Sequence, residues 1–284
     1  MNRLPLLALA LPAAAFAVAA LLAGCGTKHD GTKHDGPEPT AHQGHGGDPH
    51  AGHGGGQKAA TLVVKTDPVP VAAGQPTTLK LMIHDAGGGM VKDFDVTHEA
   101  KVHLIVVRDG LGTFAHLHPA VDPAGNLTTT YTFPTPGTYR LYADHQPTGG
   151  KANTAVAEVT VAGQPPPAPT LTPNVPAAVE ADGLAARVTV GNAKTGGEGV
   201  VRFELLDAGQ PLAGLQPYMG ATGHLVVLSG DGTEYVHAHP ADDKTAANVV
   251  AFAAHFPRAG VYKGWGQFRW KDAVRVVPFV VKVD

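Results

Sequence analysis

The chain repeats itself. His103-Leu-Ile-Val-Val, followed by Phe114-Ala-His116-Leu-His118-Pro119, recurs as His224-Leu-Val-Val-Leu with Tyr235-Val-His237-Ala-His239-Pro240, displaced by 121 residues. Phe133-Pro-Thr-Pro-Gly137-Thr-Tyr139 recurs as Phe256-Pro-Arg-Ala-Gly260-Val-Tyr262, and Ile83-His-Asp85-Ala-Gly87 as Leu205-Leu-Asp207-Ala-Gly209. A segment that occurs twice at domain-sized spacing must fold as a unit that tolerates a copy of itself beside it. Any fold assigned to one half has to serve the other.

Within each half the runs are short and strand-like. Leu62-Val-Val, Thr78–Ile83, Val102–Val107, Thr129–Phe133, Tyr139–Tyr142 and Ala155–Val161 are separated by Gly, Pro and Asp clusters, and no helical period of useful length occurs. About 100 residues of short strands per copy predict an all-β protein of two tandem β-sandwich domains. Gly-x-Tyr at Tyr139 and Tyr262 resembles the tyrosine corner of immunoglobulin-like folds, in which the hydroxyl returns to nearby backbone. The expected order is a signal peptide at 1–24, a disordered His/Gly-rich tether at 25–60, a first domain at 61–162, a Pro-rich linker at 163–177 and a second domain at 178–284. The linker's proline content favours extended polyproline II, a semi-rigid spacer.

The first residues predict export. Arg3 precedes the apolar stretch Leu4–Leu22, which ends in Leu22-Ala23-Gly24-Cys25. That ending resembles the lipobox of bacterial lipoproteins, whose cysteine is lipidated after cleavage. Cys25 is the only cysteine in the chain, so it has no partner for an internal disulfide and lipidation gives it a role. The expected location is the extracytoplasmic side of a membrane, anchored through lipid on Cys25. The tether that follows carries His29, His34, His42, His45, His50 and His53 among glycines, too polar to bury a core and suited to loose metal capture. With 21 basic and 24 acidic side chains, the chain has no electrostatic footprint for nucleic acid.

The repeated histidines carry the chemistry. Asp109-Gly110 between two apolar runs predicts a two-residue hairpin turn, which sets His103 directly opposite His116, with His118 on the same face. Gly230-Asp231 predicts the same for His224, His237 and His239. Three neutral imidazoles on one face suit copper, zinc or nickel, with copper or zinc preferred. Asp144 and Gln267, at matching positions after the Gly-x-Tyr corner, are candidates for a fourth ligand, and Met219 for a soft ligand to Cu(I). A histidine on a half-buried strand is more often a packing residue, but here cross-strand placement and repetition favour metal. His84, His98, His145 and His255 have no histidine counterpart and are read as structural, His98 being notable for lying opposite Met219 in the repeat.

These motifs, with Tyr218-Met-Gly-Ala-Thr-Gly-His224 and Trp265-Gly-Gln-Phe268, resemble bacterial extracytoplasmic heavy-metal-binding (YtkA-like) lipoproteins over most of residues 61–284. The resemblance implies an immunoglobulin- or cupredoxin-like sandwich and copper handling, with metal ions, a membrane and a metal-receiving envelope protein as partners. A blue-copper site needs a thiolate, and none is available. Two other function classes compete. One is a metal-free adhesive or scaffold protein. The other is a cupin-like enzyme, for which Gly110 and His116-x-His118 offer part of a motif and Asp122 only a substitute for its carboxylate. No nucleophile–base or paired-carboxylate arrangement is present, and the reading is non-enzymatic.

Overall fold

The computed structural model describes residues 60–181, 183–238 and 246–284. The expected signal peptide, Cys25, the histidines of the expected tether and His239 lie outside them. Among the described residues there is no helix, and so none long and apolar enough to cross a membrane.

The first repeat contains β1 (Thr61–Asp67), β2 (Val71–Ala72), β3 (Pro76–His84), β4 (Val102–Arg108), β5 (Phe114–Leu117), β6 (Ala120–Val121), β7 (Leu127–Thr132), β8 (Gly137–His145) and β9 (Asn153–Ala162). Strands run β5-β4-β8-β9 on one side and β1-β3-β7-β6 on the other, joined through a parallel contact between Thr61 and Val156. β3 alternates buried and more exposed positions, and Leu79, Leu81 and Ile83 point into a core shared with Leu104, Val106 and Leu141 of the facing strands.

The second repeat contains β10 (Ala177–Ala181), β11 (Leu184–Gly191), β12 (Gly197–Asp207), β13 (Gln210–Pro211), β14 (His224–Ser229), β15 (Tyr235–Ala238), β16 (Val249–Phe256), β17 (Gly260–Trp270) and β18 (Ala273–Val283). Its sheet β15-β14-β17-β18 matches β5-β4-β8-β9, and β10-β11-β12 with β16 on β12 makes the opposite layer. Phe203, Phe252, Phe268 and Phe279 fill the core edge to face. Gly266 sits where a side chain would collide with the Phe203 ring, 2.6 Å from the ideal Cβ position. The protein is thus all-β, two repeated immunoglobulin-like sandwiches.

Both tyrosine corners form. Tyr139 Oη donates to the Thr135 carbonyl and Tyr262 Oη to the Arg258 carbonyl, each at 2.9 Å.

β4 and β14 depart from alternation, being buried along their whole length. One face of each serves its own sandwich. The other, Ile105 and Val107 in β4 and Val226 and Leu228 in β14, joins a third apolar cluster that seals the two repeats together with Tyr142 and Trp265. A strand buried on both faces needs an unbroken apolar run, which is what both sequences supply.

The linker does not act as a spacer. Arg108 Nη1 donates to the Pro166 carbonyl at 2.8 Å, Leu171 packs on the inter-repeat cluster, and Asn174 exchanges two hydrogen bonds with the Val280 backbone. Proline fixes these residues extended, and the extended backbone lies along the molecule instead of holding its halves apart.

Candidate functional site: a histidine cluster at the repeat seam

The hairpin registers differ from the expected ones by two residues. His116 pairs with Ile105, not His103, and His237 pairs with Val226, not His224. The loops are longer than Asp109-Gly110 or Gly230-Asp231 alone. Leu111 adds a left-handed residue at φ 56, and Thr113 Oγ1 accepts the Arg108 N–H in place of a backbone partner. In the second repeat Ser229 and Glu234 close the loop, with Asp231 accepting from Ser229, Thr233 and Arg258. A shift of two preserves the side-chain parity of a strand, so His103, His116 and His118 still share a face. That face is the seam.

His103 is almost fully buried, and His116 and His118 are half-buried. One ring nitrogen from each lies within 4.8 Å of the others. The hydrogen bonds define the tautomers. His103 Nε2–H donates to the Thr97 carbonyl at 2.9 Å, leaving its Nδ1 as the lone-pair nitrogen. His116 Nε2–H then donates to that Nδ1 at 3.0 Å, and its own Nδ1 accepts from Gln267 Nε2 at 3.1 Å. If an ion takes the place of the shared proton, His116 becomes protonated at Nδ1 and donates to Gln267 Oε1, 3.2 Å away. The amide serves either tautomer. Nitrogens bound to one tetrahedral ion sit about 3.3 Å apart, close to the spacing already present.

His118 is lowered to about 4 by burial and by the charge of His103, and its Nε2 makes no hydrogen bond among the described residues. His224 is likewise lowered to about 4, first by burial, against the hydrogen bond from its Nε2–H to the Tyr218 carbonyl, and then by His103, His98 and His118. Both imidazoles are neutral at pH 7, so no proton has to leave before they coordinate.

The two repeats present their histidines to each other. The His224 ring lies 6.3 Å from His103 and 6.1 Å from His116. His98, read from sequence as structural, belongs to the cluster, with its ring 5.9 Å from His224 and 6.4 Å from His103. It sits in a turn, Thr97–Ala100, whose counterpart is Tyr218–Ala221. His98 and Met219 occupy the same left-handed position, at φ 50 and 51, and an added Cβ at Gly220 would lie 3.5 Å from Glu99 Oε1, so the turns meet across the seam.

The other candidates fall as follows. Asp144 and Gln267 are the cross-strand partners of His103 and His224 and are both buried. Asp144 Oδ1 accepts from Thr154 Oγ1 at 3.5 Å, whereas Gln267 reaches His116 of the other repeat. His237 occupies in β15 the position that His116 occupies in β5. His84 bonds Gly88 locally, His145 packs on Phe94, and His255 is exposed on β16. Asp122 accepts from Ala124, Asn126 N and Asn126 Nδ2 in an exposed turn, which removes it as the carboxylate of a cupin-like site. The contact between repeats escaped the sequence reading, although the unbroken apolar runs beside His103 and His224 were its signal.

No curated protein matches the sequence. Among solved structures the chain is similar to FdeC, an Escherichia coli adhesin, at 17% identity over 78% of this chain and 64% of that one, TM-score 0.27. It is also similar to invasin, a bacterial integrin-binding protein, at 13% over 79% and 40%, TM-score 0.22, and to fibronectin(III)-like modules of Clostridium thermocellum CbhA, at 14% over 78% and 92%, TM-score 0.20. The chain spans less than two-thirds of the length of the first two, and likenesses at these scores carry no argument about function. The family match is direct: residues 57–163 and 178–284 each match the family described as Domain of unknown function (DUF8832), and with two copies covering most of its length the chain belongs to that family.

Proposed function

We propose that this chain is a membrane-anchored, extracytoplasmic metal-binding protein that buffers or delivers copper or zinc. The observation that carries the proposal is the approach of His103 Nδ1 and His116 Nε2 to 3.0 Å, with a nitrogen of His118 within the same 4.8 Å cluster. Imidazole nitrogens without thiolate or paired carboxylates select borderline transition ions over magnesium or calcium. The resemblance to heavy-metal-binding (YtkA-like) lipoproteins supports the same reading. In it, the histidines of residues 25–60 collect ions weakly and the seam holds them, while lipid on Cys25 keeps the chain at the membrane, where an envelope protein receives the ion. The role is carriage, not catalysis. Cys25→Ser is expected to move the protein from the membrane fraction to the soluble one.

Chelator-competition titration of the full chain with Cu(I), Cu(II) and Zn(II) tests the site, using a background in which the six tether histidines are replaced by asparagine. Tight, saturable binding that falls at least tenfold in His116→Ala and His118→Ala supports it. Absent binding, or binding indifferent to both substitutions, overturns it. The second reading would then stand: a metal-free adhesive or scaffold protein.

A further inference from the structure

We propose that the site is composite, with His224 of the second repeat supplying the fourth nitrogen to an ion held by His103, His116 and His118 of the first. This rests on the metal-binding reading above and extends it: neither repeat completes the site alone.

Three imidazoles leave one position of a tetrahedral ion open. Rings bound to such an ion have centres about 5.2 Å apart, from nitrogen distances of about 2.0–2.1 Å. The first-repeat rings already stand at 5.2, 5.1 and 4.7 Å from one another. The His224 ring centre, at 6.1 to 6.3 Å from His116 and His103, stands about 1 Å beyond the tetrahedral spacing, and its nitrogen lies outside the 4.8 Å group, so ligation requires the ring to turn inward as well as approach. It is prepared in the same way as His103. Each gives its Nε2–H to a turn carbonyl six residues earlier, Thr97 or Tyr218, both at 2.9 Å, so each is left with Nδ1 as the ligating nitrogen. A carbonyl that fixes the tautomer and the ring plane is the usual support of a metal-bound histidine. Gln267, the strand neighbour of His224, already crosses the seam to orient His116 and acts as a positioning residue. His98 lies against both rings, 5.9 Å from His224 and 6.4 Å from His103.

An ion shared in this way also clamps the repeats. Binding then stiffens the seam, and separating the two sandwiches releases the ion.

The test follows the imidazole nitrogens by NMR during Zn(II) titration of the full chain in the background whose six tether histidines are asparagine, which needs no substitution in the core. The expected result is that His224 Nδ1 moves to a zinc-bound shift in step with His103 Nδ1 and His116 Nε2, at one ion per chain. If the first-repeat rings respond and His224 does not, the composite site is overturned while the metal-binding reading survives. If no seam histidine responds, both fall. His224→Asn gives a second measure, with an expected loss of at least tenfold in Zn(II) affinity. Should that variant fail to fold, Gln267→Met, which removes the cross-seam hydrogen bond, is expected to weaken binding three- to tenfold, and unchanged affinity there counts against the proposal.

Discussion

Tyr142 and Tyr235 stack across the seam with ring centres 5.3 Å apart, and Phe114 and Trp265 repeat the contact at 4.7 Å. Phe114 corresponds to Tyr235 and Tyr142 to Trp265, so the two stacks are symmetry mates about a pseudo-two-fold axis. The polar contacts obey the same operation. Arg140 donates to the Asp231 carbonyl of one hairpin, and its counterpart Lys263 donates to the Leu111 carbonyl of the other.

Truncating one ring should therefore uncouple the repeats. Trp265→Ala removes a side chain that is 3% exposed and is expected to cost about 3–5 kcal/mol. Calorimetry should resolve two unfolding transitions where the parent shows one. A single transition with an unmoved midpoint would contradict the seam's role.

The tyrosine corners differ in what they satisfy. Tyr139 Oη donates to the Thr135 carbonyl and also accepts from Thr135 N at 3.3 Å, while among the described residues Tyr262 Oη bonds the Arg258 carbonyl alone. Tyr139→Phe is expected to lose about 1.5 kcal/mol and Tyr262→Phe about 0.5–1 kcal/mol. Urea unfolding of each variant checks the order.

At residue 98 the backbone conformation sets the substitution rule. φ is 50, and Thr97 and Ala100 exchange hydrogen bonds of 2.9 and 3.1 Å around the turn. His98→Val should cost about 1–2 kcal/mol, because a β-branched residue resists the left-handed region, while His98→Asn should be nearly neutral. Equal effects of the two on the melting temperature would refute this account.

Asp231 gives the clearest pH signature. Its carboxyl lies well below the usual carboxylate range, first through Ser229, then through Thr233 and Arg258, partly offset by desolvation. A depressed folded value stabilises the native state above the unfolded value of 3.8, and that contribution is lost as pH falls from there through the folded value. Solvent discounts the magnitude at so exposed a group. Asp231→Asn is expected to melt about 1–3 °C lower at pH 7, and the gap to the parent should narrow steadily below pH 4. A gap undiminished at pH 2 would assign the effect to something other than charge.

The fold was legible because strand periodicity and the repeat are local properties of sequence. Parity was legible for the same reason: His103, His116 and His118 share a face whichever even register is chosen. The register itself was not, because Asp109-Gly110 announces a two-residue turn and nothing local reveals that Leu111 adopts positive φ and Thr113 takes the Arg108 N–H. The position of His98 beside His224 was out of reach for a different reason. It depends on how one copy docks on the other, and only the two-sided burial implied by Val102–Val107 and Leu225–Leu228 pointed to any docking at all.

The linker that lies along the molecule has a kinetic consequence. A lone repeat would leave Ile105, Val107, Phe114 and Tyr142 uncovered and would have to find another molecule to bury them, an encounter that dilution defeats. Covalent connection through fourteen residues, 163–176, makes the encounter intramolecular, at a local concentration on the order of millimolar whatever the abundance of the protein. The pairing of the two halves is thereby insulated from expression level.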